Sequence, residues 1–189
     1  MASLLPLRIL SSKELQHEHT LLTSLLDMIN EAYKEREEEG SISRFPDSNA
    51  MLAELGDDGL YAVVQDPGKG NIPVAVVGIT RWKRDNNWAD TSGDCYDWEI
   101  SPAASRNEPP YRRQGLVDRC LTALSNTLLE RSSGKEVRLW MKVVENLLGE
   151  YWKKKGFEQV GPQWIIPKGK WHKDLEFILI DMCKKIPKG

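Results

Sequence analysis

Between residues 21 and 36 the chain sets Leu22, Leu25, Leu26, Ile29, Ala32 and Tyr33 on one face, the three-and-four spacing of an amphipathic helix, with Gly40 as its stop. A short apolar run, PLRIL, precedes it as a strand, and the loop SISRFPDS leads on to a second, shorter helix around NAMLAEL. GLYAVVQD and IPVAVVGITRWK are rich in β-branched residues and flank Pro-Gly-Lys-Gly-Asn, so they predict an antiparallel hairpin. After the polar stretch RDNNWADTSG comes a strand, DCYDWEI, and then SPAASRNEPP, whose Pro and Ser content reads as a linker. A helix follows, in which Val117, Cys120, Leu121, Leu124 and Leu128 form one buried stripe. EVRLWMKVV is the next strand and LLGEYWKKKGF a short helix ending at Gly156; two strands close the chain, LEFILIDMC being the last. The order predicts a single α/β domain over residues 1–189, built on a mixed sheet whose central strands open toward the helix start at Arg112.

Composition narrows the function. A chain of 189 residues, 40% of them hydrophobic, suffices for one buried core and is short for two. Its 26 basic and 28 acidic residues give a net charge of −2, which argues against nucleic acid as a main ligand, because such binding draws on a surplus of Lys and Arg. Cys95, Cys120 and Cys183 are scattered and odd in number, with no histidine at ligand spacing, so neither a disulfide framework nor a metal site is expected. They fit a reducing compartment, cytoplasmic in the first place with the nucleus left open. MASLLPLRIL is cut by Pro6 and Arg8 and is too short to span a membrane, so no membrane partner is expected.

The stretch YRRQGLVDRCLTAL carries the chemistry. Two arginines, a glutamine and a glycine run into the helix without the Asp, Ser or Thr that would ordinarily cap it. The first four N–H groups of a helix lack internal partners and carry about half a positive charge, glycine lets a ligand approach the backbone, and arginine suits phosphate. An anion site is the reading this supports.

Element order, together with two motifs, resembles the GNAT acetyltransferase superfamily over nearly the whole chain. One motif is the Q/R-x-x-G-x-G/A pyrophosphate loop, here Arg112-Arg113-Gln114-Gly115-Leu116-Val117; the other is the Asn, helix, Gly-Phe segment, here Asn146 to Gly156-Phe157. The resemblance implies a mostly antiparallel central sheet flanked by helices and acetyl-CoA as acyl donor. It places the pyrophosphate on the backbone of Arg113 to Val117, with Arg112, Asn146 and Trp152 in the same cofactor set. The pantetheine arm would follow the backbone of the fourth strand at Trp98, Glu99, Ile100 and Ser101, whose Trp98 and Ile100 side chains read equally as core. This sequence departs from the pattern at Val117, where Gly or Ala is usual, in the length of SPAASRNEPP, and on the last helix. There the family's tyrosine falls on Trp152, with Tyr151 beside it, and Asn146 stands one residue closer to Gly156 than is common.

What the resemblance implies chemically is transfer of acetyl to a primary amine by direct attack in a ternary complex. Freeing an amine of pKa ~10.4 at neutral pH costs about 4 to 5 kcal/mol, so a base is useful. Family members often carry it as a carboxylate on the fourth strand, which here offers Asp94, Asp97 and Glu99; Asp94 ranks first and Glu99 second. Tyr151 is the candidate acid for the leaving thiolate. Seven tryptophans, with Trp82, Trp88, Trp164 and Trp171 near loops on the acceptor side, suggest an amine with a bulky apolar part, and Glu37, Glu38 and Glu39 a pull on cations. The acceptor is a small molecule or a protein, and the assembly a monomer or homodimer. The competing reading is a catalytically weak or inactive GNAT-like module that binds acyl-CoA and acts through protein contacts.

Overall fold

The computed structural model describes residues 4–37, 43–82, 95–170 and 174–187. Strand β1 (Leu7–Ser11) runs directly into α1 (Ser12–His17), because Ser11 caps it in a reciprocal box with Glu14. Helix α2 (His19–Glu37) follows after a break at Glu18, so the helix expected at 21–36 begins earlier and has a short companion in front of it. Asp47 caps α3 (Ser48–Leu55), accepting a hydrogen bond from the Ala50 N–H at 2.8 Å. The expected hairpin is β2 (Leu60–Asp66) and β3 (Ile72–Arg81), closed by a 3₁₀ turn at Pro67–Lys69 with Gly70 and Asn71 at positive φ.

Strand β4 (Cys95–Ser105) is longer than its sequence suggests. Residues Ser101 to Ser105, which read as linker, continue along β3, since their small side chains fit under the helices that cover this face. After α4 (Leu116–Arg131) come β5 (Glu136–Val144), a π-type turn at Glu145–Gly149, the short α5 (Glu150–Lys154), β6 (Glu158–Ile166) and β7 (Phe177–Ile186). Sequence patterning counts two closing strands but does not place β6. It is an exposed edge strand broken at Gly161-Pro162, where its register with β7 shifts, so it shows no alternation to read.

The seven strands form one sheet in the order β1-β2-β3-β4-β5-β7-β6, antiparallel throughout except at β4–β5. The mixed, mostly antiparallel sheet flanked by helices is thus borne out. On one face α4 and α5 bury Cys120, Leu124, Leu128, Trp152 and Phe157 against Ile79, Trp98, Ile100 and Leu139. On the other, α1, α2 and α3 bury Leu15, Leu25, Ile29, Met51 and Leu55 against Tyr61, Val63 and Val76. Helices thus cover β2, β3 and the second half of β4 on both faces, with Ala104 among the residues packed under α2.

Candidate functional site

The parallel pairing of β4 with β5 begins at Cys95↔Glu136 and stops at Glu99↔Trp140. Beyond that point β4 stays with β3 and β5 stays with β7, so the sheet divides. A bulge in β4 drives the separation: Ile79 pairs with Ile100 and Val77 with Ala103, so three steps along β4 oppose two along β3. Gly78 stands opposite the bulge, and a Cβ there would come within 2.4 Å of the Ser101 carbonyl oxygen and 2.3 Å of the Tyr61 ring. Only glycine lets the bulged backbone approach β3 this closely.

The divided strands frame a cleft of about 410 Å³ that passes through the sheet. Alternation of side chains along each strand gives it two different walls. Toward α4 and α5 it is apolar, lined by Ile100, Met141, Val143, Leu148 and Trp152. Toward the opposite face it presents Tyr33, Arg44, Glu99, Ser101 and Lys142.

On that polar side Arg44 is ion-paired with Glu54 and donates from Nη2 to Ser101 Oγ at 2.9 Å, while Ser101 Oγ donates to Glu54 Oε1 at 2.7 Å. Burial works against the Arg44 charge, but Glu54 and Tyr33 outweigh it and the guanidinium pKa is raised. Arg44 also lies over the Phe45 ring, 4.3 Å from its centroid.

Asp97 lies elsewhere. It is buried, accepting from Arg138 Nε at 2.7 Å, Arg138 Nη2 at 2.9 Å and Trp140 Nε1 at 2.8 Å, so it clamps the paired end of β4 and β5. Trp82 stacks on Trp140 at 5.0 Å, which makes it a wall of this clamp. Trp164 is 42% exposed on β6. Asp94, Trp88, Trp171, Glu38 and Glu39 lie outside the described residues.

Helix α4 begins at Gly115, which has φ 66° and provides no side-chain cap, and Arg113 before it also has positive φ. Arg112, Arg113, Gln114 and Gly115 are exposed, whereas Leu116 is buried and Val117 packs at the core's margin. The branched Val117 side chain thus faces inward, and the backbone of the turn remains open. Asp118 in the first helical turn is held by Lys155, whose Nζ lies 2.6 Å from its Oδ2. That pairing offsets a negative charge which would oppose an anion at the helix start.

Asn146 is exposed in the π-type turn. Trp152 lines the cleft, and Tyr151 is 39% exposed with its ring edge-on to Trp152 at 5.0 Å. Trp98 and Ile100 are buried, with their side chains in the core. The residues that sequence reasoning missed are Arg44, Glu54 and Ser101 as a side-chain cluster. Nothing local marks them, for they stand on a loop, a helix and a strand 10 and 57 residues apart along the chain from Arg44.

No family model and no curated protein matches the sequence. Solved structures do match it. The ribosomal-protein-S18-alanine N-acetyltransferase of Escherichia coli is 18% identical, covers 97% of this chain and 96% of its own, and superposes with a TM-score of 0.62. An acetyltransferase of the GNAT family from Streptococcus pneumoniae is 17% identical over 97% of this chain and all (100%) of its own, with a TM-score of 0.61. The fold is that of the GNAT acetyltransferases. A third neighbour, YncA of Salmonella typhimurium, solved with its cofactor acetyl-CoA, is 16% identical, covers 99% of this chain and 96% of its own, and has a TM-score of 0.60. In this GNAT fold the divided β4 and β5 and the open start of α4 lie on consecutive elements of the chain. Among the described residues no cluster of His, Cys, Asp or Glu could hold a metal ion, and no helix is long and apolar enough to cross a membrane.

Proposed function

We propose that this chain is a single-domain N-acetyltransferase that moves acetyl from acetyl-CoA to a primary amine by direct attack in a ternary complex. The observation that supports it most is the division of β4 from β5, which leaves a strand edge and a cleft through the sheet next to an uncapped helix start. A pantetheine arm has amides that pair with a strand edge, and its pyrophosphate suits the backbone N–H groups of residues 113–117 and the exposed Arg112 and Arg113. The apolar wall at Ile100, Met141, Val143 and Trp152 excludes water from the thioester.

In the transfer, the amine nitrogen bonds to the thioester carbon, the carbon–sulfur bond breaks, and the nitrogen gives up a proton. Glu99 lines the polar side of the cleft, which supports it as the base; Asp94, first in the sequence-based ranking, is the alternative to measure beside it. Trp152, an indole that does not titrate, offers the leaving sulfur no acid. A thiol of pKa ~8.5 leaves readily as thiolate near neutral pH, so an acid such as Tyr151 assists without being required. The three free cysteines suit a reducing compartment such as the cytosol.

The test is release of free CoA thiol with a panel of amines. A transferase releases thiol only when amine is present; acyl-CoA binding without release favours the second reading, a binding module, which the tryptophan at the tyrosine position supports. Between the two carboxylates a pH–rate series decides. Loss of the base lowers turnover on the order of 10²-fold or more, and the deficit shrinks as pH rises and free amine accumulates. We expect that profile for Glu99→Gln; a flat deficit there, with the sloping one in Asp94→Asn, moves the base to Asp94.

A further inference from the structure

The cluster at the β4 bulge leaves one valence open. A serine hydroxyl has one proton to donate and two lone pairs to accept with. Ser101 spends its proton on Glu54 Oε1 and accepts from Arg44 Nη2 with one lone pair. Its two partners fix the direction of this exchange, since a guanidinium only donates and the carboxylate paired with it only accepts. Ser101 is thereby set as an acceptor of one more hydrogen, and it lines the polar side of the cleft with Glu99.

We propose that Ser101 Oγ seats an N–H of the attacking amine, with Arg44 and Glu54 as the positioning residues that hold its hydroxyl. This rests on the transferase reading and assigns a residue to the selection of a primary amine as acceptor. A neutral primary amine has one lone pair, which must point at the thioester carbon, and two hydrogens. One hydrogen is lost to the base as the carbon–nitrogen bond forms and the carbon–sulfur bond breaks; the other stays on the product amide. Ser101 holds the hydrogen that stays, and the base takes the one that leaves. A secondary amine has a single hydrogen, which cannot serve both groups. Alcohols and thiols meet the same limit.

The experiment compares the wild-type protein, Ser101→Ala and Ser101→Thr on a primary amine and its N-methyl counterpart, following thiol release, with acetyl-CoA affinity measured by calorimetry. Ser101→Ala is expected to lower kcat/KM for the primary amine about 10- to 100-fold, the loss of one hydrogen bond in a desolvated site. Acetyl-CoA affinity stays at the wild-type value and the variant stays folded, its thermal midpoint lowered by no more than the few degrees that two lost hydrogen bonds account for; the preference for primary over secondary amine falls, and Ser101→Thr restores both rate and preference. Wild-type kcat/KM in Ser101→Ala, or a loss matched by weaker acetyl-CoA binding, or a Thr variant as impaired as the Ala variant, overturns the role of Ser101 while the transferase reading stands. Absence of amine-dependent thiol release from the wild-type protein overturns both.

Discussion

At the scale of single residues, the site depends on two glycines for different reasons. Gly78 is a matter of space: with a Cβ 2.3 Å from Tyr61 and 2.4 Å from the Ser101 carbonyl, Gly78→Ala must move backbone. We expect a loss of about 1 to 3 kcal/mol in denaturant unfolding, the cost of overpacking, together with loss of transfer activity as the bulge shifts. Gly115 is a matter of backbone conformation. An added Cβ meets only Asp118 Oδ2 at 3.8 Å, but φ of 66° costs an L-residue about 1 to 2 kcal/mol. Gly115→Val should therefore leave the chain folded while sharply weakening CoA binding by calorimetry; unchanged affinity would remove the helix start from the cofactor site.

Asp181 on β7 is fully buried, and desolvation raises its pKa, with Lys142 and Trp164 opposing the shift. Between the ordinary carboxylate range and the raised native value the native state holds a proton that the unfolded chain releases, so this group favours the native state more at low pH than at high pH. Its contribution falls as pH rises from the ordinary carboxylate range through the raised native value. Asp181→Asn is expected to raise the melting temperature at pH 7 by about 2 to 4 °C per kcal/mol, a gain that fades toward pH 4. A constant gain at every pH would rule out the titration.

At the scale of elements, the parallel β4–β5 pair must be strong at one end because it is absent at the other. Asp97 and Arg138, side by side in the ladder and joined by two hydrogen bonds, hold the paired end, and Trp82 stacked on Trp140 covers it. Asp97→Ala leaves a buried guanidinium without its carboxylate, a change that costs about 3 to 5 kcal/mol. Chemical denaturation should show that loss, and Ser101→Ala, on the same strand but outside the clamp, should not. The element boundaries that sequence misjudged sit beside this clamp. SPAAS looks like a linker because proline and small residues are turn formers, yet β3 accepts it as strand where bulky residues would not fit beneath α2. Edge strand β6 gave no alternation to read because almost all its side chains are exposed on both faces.

At the scale of the whole molecule, periodicity was enough for the class of fold. Stripes such as Cys120, Leu124 and Leu128 need an apolar surface to pack on, and the nearly continuous apolar runs of β2 and β3 need cover on both faces, so order and layering were legible in one dimension. The helix start at Gly115 was legible too, because a missing cap and a glycine are local facts. What only the tertiary structure decided is where strands part. Pairing partners are set by distant segments, and the bulge at Ser101 gains its meaning from Gly78 on β3, from Arg44 on a loop and from Glu54 on α3. The sequence alone assigned Asp97 and Glu99 to the same strand; burial beside Arg138 makes one a clamp, while the other lines the cleft. Burial and pairing are properties of neighbours in space, which is why residue types and spacing could name and rank the candidates but not reveal that Asp97 is buried in a clamp.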